Sequence, residues 1–510
     1  MADPLPAAAA YPWTPDLGDG RYRNPVLFAD YSDPDVIRVG DDFWLTASSF
    51  NCTPGLPILH SHDLVNWTLV NHALKNLPHS RYDAYQGGCG VWAPAIRYHD
   101  RKFWIFYPTP DEGIYVVTAD NPRGTWSEPR PVIEGKGLID PCPLWDSDGR
   151  AYLAHAYAKS RAGIKNIIRV RPMAPDASGV LGEGEIVFND PINHPTMEGP
   201  KFHQWNGMYY LSVPAGGVAT GWQVILRSKS VYGPYESKIV LAQGKTDING
   251  PHQGALLDTP TGEWWFMHFQ ERQPYGRITH LQPVTWKDGW PLIGINQDEN
   301  DLGEPVTTHR KPNVGKTYPV AIPATSDEFD AQRLGLAWQW NANHRDDWHT
   351  LTNRPGLRLF ARPAGGNDLL HLPHLLAQKF PALAFSVETR IEIPESMTDT
   401  EAGLAVIGYK HAAVILTRKR DGVSAISLRV DGKTTVEIPF PRAAARFRVT
   451  IQDGGRCRFA YRGDDEAAFI EIDHDFQASE GHWIGARVGL FCSGAAGAAA
   501  YADVDYFRFS

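Results

Sequence analysis

Five times in the first half of the chain a distinctive residue is followed, 11 to 13 positions later, by an aromatic that opens a hydrophobic strand: Asp33 to Trp44, Trp92 to Trp104, Asp140 to Tyr152, Glu198 to Tyr210 and His252 to Trp265. A short apolar run and a polar turn separate the two landmarks of each copy, as in DPDVIRVGDDFWL and DPCPLWDSDGRAYL. A period of about 50 to 60 residues made of short strands is the signature of a β-propeller, whose blades are four-stranded sheets set radially around a channel. Five copies predict five blades. The innermost strands of such a fold run along the axis and their equivalent ends converge, so the repeat is expected to gather Asp33, Trp92, Asp140, Glu198 and His252 at one pocket. Asp-Pro and Glu-Gly-Pro also start ordinary turns. Chance turn acids would scatter within the repeat, whereas Asp33, Asp140 and Glu198 share one register. Gathering like charges is costly and marks chemistry.

A chain of 510 residues is too long for one compact core. Strand-and-turn texture fills residues 24–302, after an extension over 1–23. Residues 303–325 hold four prolines without periodicity and read as a linker. From residue 326 to 510 the segments alternate, as in LAFSVETRIEI, with Asp431-Gly432 and Asp453-Gly454 as hairpin turns. The prediction is a β-sandwich or jelly roll appended to the propeller, hence an all-β chain. A weaker repeat ending at Trp67, Trp126 and Tyr235 reads as turns that lock one strand pair of a blade to the next. Gly55–Leu59 and Tyr85–Gly90 read as lengthened loops that shape a binding site.

The net charge of −9, with no basic stripe, argues against nucleic acid or an anionic membrane as partner. No run reaches the roughly 18 apolar residues of a membrane span. The 17 Trp and 20 Tyr suit a protein that stacks sugar faces on aromatic rings. Five cysteines in no metal-binding spacing read as buried thiols, with a disulfide between two of them as the alternative. The start, MADPLPAAAA, has neither the basic opening nor the apolar core of a secretory leader. Two compartments fit this: the cytoplasm, or the periplasm or exterior with a leader removed. A homo-oligomer is compatible with the sequence.

At DPD, WAP, IDP and EGP, in this order and spacing, the chain resembles glycoside hydrolase family 43. The likeness extends through GPHQGALLDTPTGEWWFMHFQ and GRITHLQP, and the part beyond the linker is similar to the concanavalin-like sandwich of the β-xylosidase branch. The resemblance implies a five-bladed propeller enzyme with Asp33 as general base, Glu198 as general acid and Asp140 as the carboxylate that orients the acid and raises its pKa. It further implies Trp92 and Phe50 as walls of the sugar pocket and Arg277 as the cation that reaches substrate hydroxyls. His252 corresponds to a central histidine beside a calcium ion or an ordered water, and Trp483 is the candidate aromatic that the second domain lends to the pocket. No organic cofactor is implied.

Hydrolysis of a glycosidic bond needs a proton for the leaving oxygen and a water activated on the opposite face, and two carboxyls about 6.5 to 9.5 Å apart leave room for that water and invert configuration. A charged Asp140 would hold the proton on Glu198 by like-charge repulsion. Asp35 rivals Asp33 as base, because alternate strand residues share a face; only the family register favours Asp33. The expected activity is exo-hydrolysis with inversion, releasing terminal β-D-xylose or α-L-arabinofuranose from xylo-oligosaccharides or arabinoxylan fragments. Two alternatives stand beside it. One is a retaining fructan or sucrose hydrolase, marked by NDPN and EC motifs where this chain reads SDPD and MEGP. The other is a sugar-binding propeller without catalysis.

Overall fold

Short segments rich in Val, Ile, Trp and Tyr, broken every few residues by Gly, Pro or Asp, cannot sustain a helix and pair locally instead. The computed structural model describes residues 11–298, 300–351, 356–363, 366, 368–495 and 499–510; the first ten residues of the expected extension lie outside these. Five antiparallel four-stranded sheets follow one another along the chain, each in simple sequential order. Their innermost strands are Asp35–Val39, Ala95–His99, Leu138–Trp145, Lys201–Trp205 and His252–Asp258. The repeat aromatics Trp44, Trp104, Tyr152, Tyr210 and Trp265 all lie on the second strands.

Neighbouring blades pack through aromatics and ion pairs. Trp104 packs at a tilt against Trp145 between blades two and three, and Trp205 meets Trp264 edge-on and Trp286 at a tilt between blades four and five. Arg38 of blade one pairs with Asp258 of blade five at 2.7 Å. All four strands of the last blade come from contiguous chain, and the segment before blade one covers its flank. The Tyr22 hydroxyl and the Asn24 amide both donate to the Leu281 carbonyl, and Leu27 bridges Thr279. Thr308–Arg310, on the segment that leaves the propeller, pairs with Arg21–Arg23.

Trp67, Trp126 and Tyr235 each tie down their own turn. The two indoles and the phenol donate to Leu64, Pro122 and Val231 carbonyls three or four residues back. They therefore anchor the turn before the outermost strand of a blade, and each also packs in an apolar cluster that spans neighbouring blades. Gly55–Leu59 is no loop: Gly55–Ser61 is the third strand of blade one and is buried along its whole length. A strand buried on both faces loses the alternation that would reveal it.

The second unit is a sandwich of two seven-stranded sheets. Phe385–Glu392 shows strict in-out alternation, as one buried face requires. Asp431 and Gly432, with φ of 45° and 76°, make the two-residue turn between Val430 and Lys433, the left-handed pair that an Asp-Gly hairpin supplies. All five cysteines are free. Among the described residues no helix is long and apolar enough to cross a membrane.

Candidate active site

At one end of the propeller channel Asp33, Asp140, Glu198, Trp92, Phe50 and Arg277 line a cavity of about 300 Å³, and Trp483 of the sandwich completes its wall. The repeat thus brings its three carboxylates to one place, and the sandwich reaches the same place.

Backbone conformation aims these side chains. Asp33, Phe50, Asp140, Thr196, Gln253 and Trp483 all line the cavity and all have φ between 50° and 64°. Non-glycine residues rarely adopt this left-handed region, and strain of this kind collects at functional sites. Asp140 and Gln253 sit where the inner strand slips register against its partner. Such bulges re-aim a side chain out of the ladder. The bulge also displaces one expected residue. Gln253, not His252, occupies the position in blade five that Asp140 occupies in blade three, and His252 does not line the cavity.

Asp33 accepts from the Ser32 and Ser48 hydroxyls at 2.7 and 2.6 Å and from the Arg277 guanidinium at 2.8 Å. Every partner is a donor and one is a cation, the surroundings of a carboxylate rather than of an acid. Asp35 is directed elsewhere. It is buried, accepts from the Ile96 amide at 2.7 Å, pairs with Arg97 at 2.7 Å and lies 3.7 Å from Lys201. It therefore links blades one, two and four. The left-handed residue Asp33 ends the strand alternation that made the two acids look equivalent.

Glu198 is surrounded differently. Burial raises its pKa to about 7; the Arg277 charge opposes the rise and the Asp33 charge adds to it. Asp140 is also raised, first by burial and then by repulsion from Glu198, while the Gly199 amide, donating at 2.7 Å, favours its charged form. Burial thus favours the protonated forms of both coupled acids, while the Gly199 amide and the Lys201 charge favour the charged form of Asp140.

Trp92 and Trp483 meet edge to face with ring centres 6.4 Å apart, and the Arg277 guanidinium lies 5.5 Å over the Trp483 ring. Phe50 and the neighbouring Val91 exchange backbone hydrogen bonds of 2.8 and 3.0 Å. The Trp92 indole donates to the Gly88 carbonyl at 3.1 Å, which makes Tyr85–Gly90 a loop behind the pocket wall.

His252 lies fully enclosed, and burial, with the Arg277 charge, lowers its pKa to about 3. Its Nδ1 is buried without a hydrogen-bond partner. Calcium takes six to eight oxygen ligands, and among the described residues no group of three acidic, histidine or cysteine side chains gathers at His252. His252 therefore offers one unpartnered ring nitrogen there. The group that does gather, Asp42, His60 and His62, lies on blade one outside the cavity. Arg123 donates to His60 Nδ1 at 2.9 Å, so its Nε2 carries the proton donated to Asp42. That is a hydrogen-bonded pair rather than a metal-ready one.

Sequence reasoning missed Gln253 and Thr196. Gln253 follows His252 in GPHQG and was hidden by the one-residue bulge; Thr196, two residues before Glu198, carried no signal beyond proximity to the acid.

Comparison with known proteins agrees with this geometry. The sequence pattern of glycosyl hydrolases family 43 matches residues 22–291, and that of the β-xylosidase C-terminal concanavalin A-like domain matches residues 326–510. A putative β-xylosidase of Xylanibacter ruminicola is 41% identical over 93% of this chain and 86% of its own length. A non-reducing end α-L-arabinofuranosidase of Bacteroides ovatus is 31% identical over 81% of this chain and 79% of its own. The crystal structure of a xylan β-1,4-xylosidase from Bacillus halodurans superposes with a TM-score of 0.84 at 25% identity, covering 96% of this chain and 99% of the other. Carboxylates gathered by a five-fold repeat, a sandwich aromatic that closes their pocket and a pattern match spanning the whole propeller lead to one assignment: the chain belongs to family 43 of the glycosyl hydrolases.

Proposed function

We propose that this glycoside hydrolase removes a single terminal pentose, β-D-xylose or α-L-arabinofuranose, from xylo-oligosaccharides or arabinoxylan fragments, with inversion at the anomeric carbon. Glu198 gives its proton to the leaving oxygen as general acid. Asp33, fixed by Arg277, Ser32 and Ser48, takes a proton from the water that attacks the opposite face. Asp140 stabilises the protonated form of Glu198 by its charge. Trp92, Phe50 and Trp483 enclose the sugar ring, and Arg277 supplies donors to its hydroxyls.

The observation that carries this reading is the contrast between two carboxyls on one cavity: Glu198, raised to about 7, and Asp33, surrounded only by donors. Acid and base roles are separated by environment in this way. A cavity of about 300 Å³ closed by Trp483 suits one terminal sugar rather than the middle of a chain. The names of the relatives, one a β-xylosidase and one an arabinofuranosidase, support both pentoses.

Proton NMR of fresh product from nitrophenyl β-D-xyloside and nitrophenyl α-L-arabinofuranoside tests this reading. Wild-type protein is expected to release the inverted anomer from one or both substrates. Glu198→Ala is expected to lose far more activity on unactivated xylobiose than on nitrophenyl substrates, whose leaving group needs little protonation. Retained configuration, or equal losses on both kinds of substrate, would remove the assignment.

A further inference from the structure

We infer that Asp30 is a positioning residue for the pocket: its carboxylate fastens the sandwich segment bearing Trp483 to the propeller strand bearing Arg277. The inference rests on reading the cavity as the active site and adds the device that sets its outer wall.

Asp30 is 3% exposed. One carboxylate oxygen accepts from the Arg277 amide at 2.8 Å; the other accepts from the Gly485 amide at 2.9 Å, across 455 positions of sequence. The two donors stand at the two halves of the wall, since Arg277 pairs with Asp33 and Gly485 lies two residues after Trp483. The approach is close enough to demand glycine on both sides. A Cβ on Gly276 would stand 2.6 Å from the Asp30 carboxyl carbon and 2.7 Å from the Gly485 nitrogen, and one on Gly485 would stand 2.5 Å from the Tyr275 carbonyl oxygen. The Ala486 amide closes the joint by donating to Pro274 at 2.7 Å. Trp483 itself is 40% exposed and has a left-handed φ of 64°. Besides this joint, the edge of Trp92, the Arg277 guanidinium and the His482 ring contact its ring, and Ile484 next to it packs against Phe50 and Cys52. A buried carboxylate accepting two backbone amides, one from each domain, is a charge-assisted polar link at that point, and loss of either bond is expected to shift the Trp483 segment.

The experiment is a double-mutant cycle in kcat/KM on nitrophenyl xyloside, combining Asp30→Asn with Trp483→Ala. Asparagine keeps the shape but turns an NH2 toward one of the two amides. Asp30→Asn is expected to lower kcat/KM about tenfold in the wild-type background, mainly through KM, and less than about twofold when Trp483 is already alanine. Gly485→Ala, which leaves the carboxylate in place and pushes the segment outward, is expected to reproduce both results and carries the cycle if Asp30→Asn does not fold. The inference is overturned by equal losses in both backgrounds, by a fall in melting temperature without kinetic loss, or by full activity of Trp483→Ala. Failure of the pocket reading is a separate result, full activity of Glu198→Gln on xylobiose.

Discussion

Glu198 and Asp140 share a problem of charge that fixes the direction of a pH effect. The pKa of Glu198, about 7, lies above its ordinary value because the site is buried, and the Asp33 charge adds to the rise. An acid of this kind works while protonated, so kcat/KM falls as pH rises through its pKa. Asp140→Asn removes a neighbouring negative charge, lowers the pKa of Glu198 and is expected to move the alkaline limb of the profile to lower pH. An alkaline limb that stays in place would take Asp140 out of this role. Sequence register already grouped Asp33, Asp140 and Glu198, because carboxylates at equal positions in a repeat are visible without coordinates. Gln253 was not visible, since one extra residue in a bulge shifts the count and leaves His252 where the pattern pointed. Asp30 was hidden for another reason: its second partner lies 455 positions away, and no local pattern encodes such a contact.

Inner strands carry both structural and functional acids, and their side-chain directions separate the two kinds. Asp35, inside its strand, binds Arg97, the Ile96 amide and Lys201; Asp33, just before that strand, faces the cavity. Breaking one partner of a buried ion pair costs about 3 to 5 kcal/mol. Asp35→Asn is therefore expected to lower unfolding free energy by that order in urea titrations while the folded fraction keeps most of its kcat. Asp33→Asn is expected to abolish turnover with a smaller change in stability. Reversal of these two results would restore Asp35 as the base. The strand Gly55–Ser61 shows where element reading fails. Its glycine and proline suggested a loop, and burial on both faces erased the alternation that would have corrected it.

The two domains do not merely adjoin. Thr53 and Trp340 exchange backbone hydrogen bonds, the Asn51 amide donates to the Asn341 carbonyl, and Phe28, Tyr275 and Ile278 of the propeller belong to the hydrophobic core of the sandwich. Phe50, Cys52 and Ile484 form a smaller apolar cluster beside Trp92. A fragment ending at residue 325 would expose these apolar side chains and lack Trp483. Misplaced pocket geometry typically costs about 10²-fold in rate, and the fragment is expected to lose at least that in kcat/KM and to aggregate on concentration. A soluble fragment with full activity would show that the sandwich contributes nothing to catalysis. Both domains were legible from texture alone, through turn chemistry and strand alternation. Their mutual fit was not, because it depends on backbone approaches at Gly276 and Gly485 that composition does not reveal.

Six non-glycine residues around one cavity hold the same uncommon backbone twist, and this limits how the pocket could be redesigned. Aspartate and asparagine tolerate that twist and glycine adopts it freely, whereas valine and isoleucine resist it. Saturation libraries at Asp33, Phe50, Asp140 or Gln253 should therefore yield few folded variants with branched side chains, whatever sugar is used for selection. New specificity is more accessible at Ala93 and Val218, which border the same space without left-handed backbone.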